Sequence, residues 1–195
     1  MGASDHLAGR ACSPAIFRAI EFSAKAHLAQ LRKGTDIPYI THPFAVGLIL
    51  AKANCTEDVI IAGILHDTIE DTGVALSEIR ELFGDAVAEI VAGCTEPDKS
   101  LPWETRKQHT LDALKSASLG VKFVTCADKL HNLCAMLEEY RQMGDGMWKR
   151  FSRGQEKQRW YFAGLLVNLG SGPFGAQPLY QELSRAFAEL FGRSE

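Results

Sequence analysis

Hydrophobic residues recur at helical spacing along nearly the whole chain. The first segment starts at Ser13 and Pro14, a helix N-cap followed by proline at the first helical position. Its apolar positions are Phe17, Ile20, Ala24, Leu28 and Leu31. The alternation of apolar and polar residues that is typical of strands is absent, and so are repeats. The pattern therefore predicts an all-α protein of about eight or nine helices.

The remaining helices are separated by glycine, proline or polar loops. We expect them from Thr41, from Thr56 as one helix to Gly73, and at 76–84, 85–94, 103–118, 121–143, 153–169 and 178–191. The 195 residues suit one domain with a sizeable core. We expect residues 1–13 to form a flexible N-terminal tail and residues 14–195 to form one helical domain.

Two of these helices carry charged residues where their pattern predicts a core. In the stretch ILHDTIEDT (64–72), His66, Asp67, Glu70 and Asp71 follow a continuous apolar run. Asp128 lies among apolar residues of the later helix 121–143. A buried charge normally needs a partner, because burying it alone is costly. Two such anomalies in one helical chain point to one shared site.

Composition excludes several function classes. The net charge is −3, so the chain lacks the overall basic field of a nucleic-acid binder. It has no apolar run near the roughly 20 residues that a membrane span needs, and no secretory signal. None of the cysteines forms a C-x-x-C pair: Cys12, Cys55, Cys94, Cys126 and Cys134. We expect a cytoplasmic protein with free thiols that binds neither nucleic acid nor membrane.

A divalent metal is the partner that suits these side chains. Together with His42, the anomalies offer imidazole and carboxylate ligands without a thiolate, as first-row metals with open water positions prefer. Adjacent helical residues such as His66 and Asp67 point about 100° apart, so a metal would have to lie between the two directions. Ligands from other helices would complete the shell, as in helical-bundle metal sites.

Glu70 and Asp71 come one helical turn after His66 and Asp67, on the same faces. They can take a proton from an attacking water and return one to a leaving oxygen. Each candidate also has a plain alternative. A lone histidine such as His42 is more often a cap or core residue, and acidic residues are more often part of a solvated helix end.

Several longer stretches resemble one known family. They are RKGTDIPYITHP (32–43), GILHDTIEDT (63–72), LFGDAVAEIV (82–91), TEPDKSLPWETRK (95–107), ADKLHNL (127–133) and WYF (160–162). The pattern resembles the HD superfamily of metal-dependent phosphohydrolases. It is most similar to the ppGpp hydrolase domain of Rel/Spo homologues, in particular the stand-alone small alarmone hydrolases.

The resemblance implies hydrolysis of the 3′-pyrophosphate of ppGpp or pppGpp to GDP or GTP and pyrophosphate, with manganese as the metal. It implies His42, His66, Asp67 and Asp128 as ligands and Glu70 and Asp71 as the pair that activates water. It implies Arg32, Lys33 and Asn132 as contacts to base and ribose, and Lys99, Lys157 and Tyr161 as contacts to phosphates and ribose. Arg106 and Lys107 could join Arg32, Lys33, Lys99 and Lys157 in a basic rim around the substrate. The expected partner is a guanosine polyphosphate. The sequence does not decide whether the protein forms a homodimer.

Four positions depart from the family pattern: Cys134, Ala135, Lys157 and Trp160. The first two stand where arginine and then threonine or aspartate are common. Lys157 stands where an arginine is expected, and Trp160 replaces an acidic residue. These changes leave the metal-binding and proton-transfer residues intact. They leave the identity of the nucleotide substrate undecided. The same chemistry on another phosphorylated ribose, such as NADPH, is one alternative. A non-catalytic nucleotide-binding module and a metal-free structural bundle are the others.

Overall fold

The structure is a computed structural model that describes residues 13–96 and 99–192. These residues form two compact units, the first ending at Thr95 and the second starting at Glu96. Apart from Ser13, the predicted tail lies outside the described residues, as does Cys12. The prediction of one domain over residues 14–195 stays a prediction.

The first unit is helical throughout. Its helices are α1 (Pro14–Ala26), α2 (Thr41–Lys52), α3 (Glu57–Leu65), α4 (Thr68–Thr72), α5 (Leu76–Phe83) and α6 (Asp85–Cys94). Helix α3 is its centre, since every residue from Val59 to Leu65 is buried and α1, α2 and α6 all pack against it. A helix that is apolar on all sides is stable only when it is covered on all sides.

The second unit is also helical. It contains α7 (Trp103–Leu114), α8 (Leu119–Met143), a 3-10 helix (Gly144–Arg150), α9 (Gly154–Gly170), a second 3-10 helix (Gly172–Ala176) and α10 (Pro178–Phe191). Helix α8 packs mainly on α10, and α7 packs on α9. Ser118 caps α8, because its Oγ accepts a hydrogen bond from the backbone N–H of Val121.

The all-α prediction is confirmed. Within residues 13–96 and 99–192 there is no β-strand, only an isolated bridge between Leu31 and Pro38. The described part contains nine α-helices of eight or more residues, besides the five-residue helix α4. Among those helices, none combines the length and the hydropathy that crossing a membrane requires.

Helix α1 starts as predicted but ends early. Ser13 Oγ accepts hydrogen bonds from the backbone N–H groups of Ala15 and Ile16, and Pro14 follows at the first helical position. The helix ends at Ala26, so the expectation that it reaches Leu31 is wrong. Leu28 is 86% exposed, so its helical spacing reflects no buried face. Tight turns follow instead, and they lead into the bridge between Leu31 and Pro38.

Candidate functional site

Two buried histidines and one carboxylate meet in the first unit. His42 lies in the first turn of α2, and His66 and Asp67 form the link between α3 and α4. The Nε2 atoms of His42 and His66 lie 3.6 Å and 3.1 Å from Oδ2 of Asp67. Ligand atoms of the two histidines also lie within 4.8 Å of each other. Three potential ligands therefore face one point.

This donor set fits a divalent metal. His66 Nδ1 lies 2.8 Å from the carbonyl oxygen of Gly63, which can only accept, so Nδ1 carries a proton and Nε2 is the ring nitrogen left to bind a metal. A backbone partner of this kind is typical of metal-binding histidines. Ligand atoms about 2.0–2.2 Å from one ion at right angles would lie roughly 3 Å apart. The 3.1 Å separation between His66 and Asp67 is close to that value, and the 3.6 Å separation between His42 and Asp67 is longer.

The helix that carries His66 is interrupted, so the predicted single helix from Thr56 to Gly73 is wrong. Helix α3 ends at Leu65, and α4 starts at Thr68. The hydroxyl of Thr68 donates a hydrogen bond of 2.7 Å to the Leu65 carbonyl, which satisfies the end of α3. Gly73, with a φ of 78°, ends α4 as expected. The break places His66 and Asp67 on a turn.

Glu70 and Asp71 lie on α4, directly after the histidine and aspartate. The backbone N–H of Asp71 still bonds to the carbonyl of Asp67 at 2.9 Å, so their one-turn relation survives the break. Glu70 is half-buried and Asp71 is exposed. Both carboxylates are therefore accessible to water next to the histidine–aspartate cluster, which proton transfer requires.

The loop before α2 contributes contacts that the sequence did not reveal. The Tyr39 hydroxyl donates a hydrogen bond of 2.6 Å to Oδ2 of Asp67. Gln30 Nε2 donates one of 3.1 Å to Oδ2 of Asp71. The Arg32 guanidinium lies 5.9 Å from the centroid of the Tyr39 ring, and Lys33 is exposed beside it. Arg32 and Lys33, two of the three predicted contacts to base and ribose, thus belong to the loop that contacts Asp67 and Asp71.

In the second unit, Asp128 lies on the apolar part of α8 and is only 9% exposed. Asn132 Nδ2 donates a hydrogen bond of 2.6 Å to its Oδ1, as expected for residues one turn apart. Lys129 Nζ lies 2.7 Å from its Oδ2. Sequence reasoning missed Lys129, although its position directly after Asp128 was visible.

An aromatic cluster with lysines surrounds Tyr161, which is buried. The ammonium groups of Lys107 and Lys129 lie 5.0 Å and 5.8 Å from the centroid of its ring, and the Trp103 ring is 6.1 Å away. Cations over aromatic faces attract the ring electrostatically. Tyr161 therefore lies next to two lysines that are themselves paired with carboxylates, Lys107 with Glu96 and Lys129 with Asp128.

The other predicted phosphate contacts are more open. Lys99 and Lys157 are exposed, and Lys157 Nζ lies 5.8 Å from the centroid of the Trp160 ring. Trp160 also contacts Trp103, with ring centroids 6.1 Å apart. The tryptophan that departs from the family pattern therefore lies between a lysine and a second indole.

Arg106 and Lys107 are both bound to Glu96, whose side chain is only 9% exposed. Burial raises the pKa of this carboxyl. The hydrogen bond from Lys107 and the charges of Lys107 and Arg106 outweigh burial and hold the pKa below its usual value of 4.5. An incoming phosphate would have to share these two cations with Glu96. They are therefore not the open rim that their positions in the sequence suggested.

Comparisons with known proteins show the family of this chain. Residues 19–148 match the HD domain family. A mouse protein, guanosine-3′,5′-bis(diphosphate) 3′-pyrophosphohydrolase MESH1, is 35% identical over 179 residues, which cover 90% of this chain and 92% of that protein. A probable GTP pyrophosphokinase of Mycobacterium leprae is 38% identical over 124 residues, and this match spans only 16% of that protein. A solved structure, of a metazoan ortholog of SpoT described as hydrolysing ppGpp, superposes with a TM-score of 0.77 at 27% identity, covering 93% of this chain and 98% of that one.

Proposed function

The chain belongs to the HD-domain family, and we propose that it hydrolyses the 3′-pyrophosphate of ppGpp or pppGpp, giving GDP or GTP and pyrophosphate. The observation that carries this proposal is the convergence of His42 and His66 on one oxygen of Asp67. The mouse relative supports the substrate, since that pyrophosphohydrolase is matched over 92% of its length.

We propose Mn²⁺ as the metal, held by His42, His66 and Asp67 of the first unit together with Asp128. Imidazole and carboxylate donors without a thiolate suit this choice. The Asp128 assignment is supported by a carboxylate kept almost fully buried on an apolar helix. When bound, a divalent metal polarises a phosphoryl oxygen and lowers the pKa of water beside it.

Glu70 and Asp71 move the protons in the proposed reaction. Water attacks the phosphorus next to the ribose, and one carboxylate takes its proton. The bond between that phosphorus and ribose O3′ breaks, and O3′ receives a proton as it leaves. The exposure of Asp71 and the partial exposure of Glu70 support this role, because both can exchange protons with solvent.

We assign the substrate contacts to basic side chains, to Asn132 and to Tyr161. The Arg32 guanidinium is a flat group suited to stacking on a purine, and Lys33 supplies a point charge next to it. Asn132 is assigned to base and ribose. Lys99, Lys157 and Tyr161 are assigned to phosphates and ribose. Because the protein itself is net negative, a local basic rim has to attract the substrate.

NADPH stays a second candidate because of Trp160. This indole is 39% exposed and has the Lys157 ammonium near its face. A base can stack on such a ring next to a phosphate-binding cation. A non-catalytic binding module is disfavoured, since Glu70 and Asp71 stay next to the histidine–aspartate cluster.

The decisive experiment is a substrate panel with Mn²⁺ present. Wild-type protein and His66→Ala are incubated with ppGpp, pppGpp and NADPH, and released pyrophosphate and orthophosphate are measured separately. We expect pyrophosphate from the two guanosine substrates with wild type only. Orthophosphate from NADPH alone would replace the proposed substrate, and no release from any nucleotide by metal-loaded protein would contradict the hydrolase assignment.

We also propose a cellular compartment and an assembly state for the protein. The exposed Cys134 carries a free thiol, as a reducing cytoplasm allows. A homodimer is the proposed assembly, and light scattering of the purified protein would measure it directly.

A further inference from the structure

We propose that Tyr39 and Gln30 form a positioning layer that orients two carboxylates, with Tyr39 holding the metal ligand Asp67 and Gln30 holding the proton-transfer group Asp71. This inference rests on the proposed function. Both positioning residues come from the loop between α1 and α2, and all four residues belong to the first unit.

Tyr39 forms a hydrogen bond to the oxygen of Asp67 that is proposed to bind the metal. Its hydroxyl donates a hydrogen bond of 2.6 Å to Oδ2 of Asp67, the same atom that faces the Nε2 atoms of His42 and His66. Hydrogen-bonded partners of this kind fix the direction of a ligand, and removing them typically weakens metal binding by about 10- to 100-fold. Tyr39 therefore sets where the carboxylate points.

The Tyr39 ring is itself held in place. Its centroid lies 5.0 Å from that of His27 and 5.8 Å from that of His42. The backbone N–H of Tyr39 bonds to the carbonyl of Gln30 at 2.8 Å. The hydroxyl is thus presented by a ring packed between two imidazoles, and its direction does not depend on solvent.

Gln30 acts on Asp71, and the side chains of Asp71 and His27 contact opposite ends of its amide. His27 Nδ1 lies 2.7 Å from Oε1 of Gln30, and Gln30 Nε2 donates to Oδ2 of Asp71 at 3.1 Å. An ionised carboxylate only accepts hydrogen bonds, so the amide nitrogen has to face Asp71 and the amide oxygen has to face His27. His27 is only 3% exposed, so this order is fixed from inside the protein.

The backbone keeps the two positioning residues together. Besides the bond between Tyr39 and Gln30, the N–H of Arg32 bonds to the carbonyl of Ile37 at 2.8 Å, across the bridge of Leu31 and Pro38. These backbone hydrogen bonds also hold Arg32, whose guanidinium lies 5.9 Å from the Tyr39 ring centroid. One loop therefore connects the proposed base contact with a metal ligand and with a proton-transfer group.

The two assignments predict different losses. Tyr39→Phe keeps the ring and removes the hydroxyl, so Mn²⁺ affinity should fall by about 10- to 100-fold. Gln30→Leu keeps the size and removes the amide, so Asp71 loses the hydrogen bond from Gln30. We expect a fall in kcat of about tenfold, the scale of one hydrogen bond lost from a proton-transfer group, with Mn²⁺ affinity and KM within about twofold of wild type.

The second unit offers matched controls. Tyr140 donates a hydrogen bond of 3.4 Å from its hydroxyl to Asp145, and Gln108 donates one of 3.2 Å to Asp112. Tyr140→Phe and Gln108→Leu therefore make the same chemical changes at hydrogen bonds within the second unit. Mn²⁺ affinity is measured by calorimetry on metal-stripped protein, kcat and KM on ppGpp, and folding by thermal unfolding of each variant.

We expect Tyr39→Phe to lose metal affinity and Gln30→Leu to lose kcat alone, with both controls like wild type. Wild-type Mn²⁺ affinity in Tyr39→Phe, or wild-type kcat in Gln30→Leu, would overturn the corresponding assignment. If wild-type protein binds Mn²⁺ but cleaves no ppGpp, the proposed function fails and the Gln30 assignment falls with it. The calorimetric comparison still decides the Tyr39 assignment.

Discussion

Replacing Gly63 by alanine should disturb the metal ligands through the packing of two helices. A Cβ at Gly63 of α3 would lie 2.3 Å from Cδ1 of Leu50 and 3.3 Å from Cγ1 of Val46, both on α2. Leu50 and Val46 are fully buried, so neither can swing into solvent. The added methyl group must therefore push α2 away from α3.

The cost follows from two opposing effects. Overpacking a core costs about 1–3 kcal/mol, and alanine favours a helix interior over glycine by about 1 kcal/mol. The net loss of stability is about 0–2 kcal/mol, which for a protein of this length lowers Tm by up to about 8 °C. Metal binding should weaken as well, because His42 lies on α2 while His66 Nδ1 bonds to the carbonyl of Gly63 itself.

Gly164 provides the control. A Cβ there would lie 2.6 Å from Cδ1 of Leu111, within the second unit. Gly164→Ala should lower Tm comparably and leave the His42–His66 pair undisturbed. Thermal unfolding and Mn²⁺ titration of both variants test this. The reasoning is refuted if Gly63→Ala binds Mn²⁺ as tightly as Gly164→Ala does.

Substitutions at three further residues separate the remaining roles. Glu70→Gln should keep Mn²⁺ in a titration yet lose about 10²-fold or more in kcat, and loss of the metal would show that Glu70 is a ligand. Arg32→Ala should raise KM about tenfold with a smaller effect on kcat, and Arg32→Lys should restore only part, because an ammonium cannot stack as a plane. The folded-state pKa of Glu96 lies below 4.5, so its ion pairs stabilise the fold above that pH and lose their effect as pH falls. The stability difference between wild type and Glu96→Gln in urea titrations should therefore shrink on acidification, and a difference independent of pH would contradict this.

The sequence predicted helices best where local chemistry was strong. Ser13 and Pro14 start α1, and the unbroken apolar run before His66 becomes the buried centre of the first unit. The prediction failed where it rested only on the helical spacing of apolar residues. One example is Leu28, whose side chain is exposed beyond the end of α1. It also missed the break at Leu65, because that break depends on a side-chain hydrogen bond from Thr68.

For the site, the sequence could identify residue types that are unusual in an apolar helix, such as Asp128. It could not identify Gln30, Tyr39 or Glu96, because a glutamine, a tyrosine and a glutamate in loops are ordinary. Their importance comes from contacts with residues that are distant along the chain, such as the 2.6 Å hydrogen bond between Tyr39 and Asp67.

The most direct test of the central claim is the product balance of a metal-reconstitution experiment. Protein stripped of metal, and verified to be so, is assayed with ppGpp before and after Mn²⁺ is added, and GDP and pyrophosphate are both quantified. We predict no turnover before addition, and afterwards one pyrophosphate for each GDP, with no recovery in His66→Ala. Full turnover by the metal-free protein, or orthophosphate in place of pyrophosphate, would contradict the account.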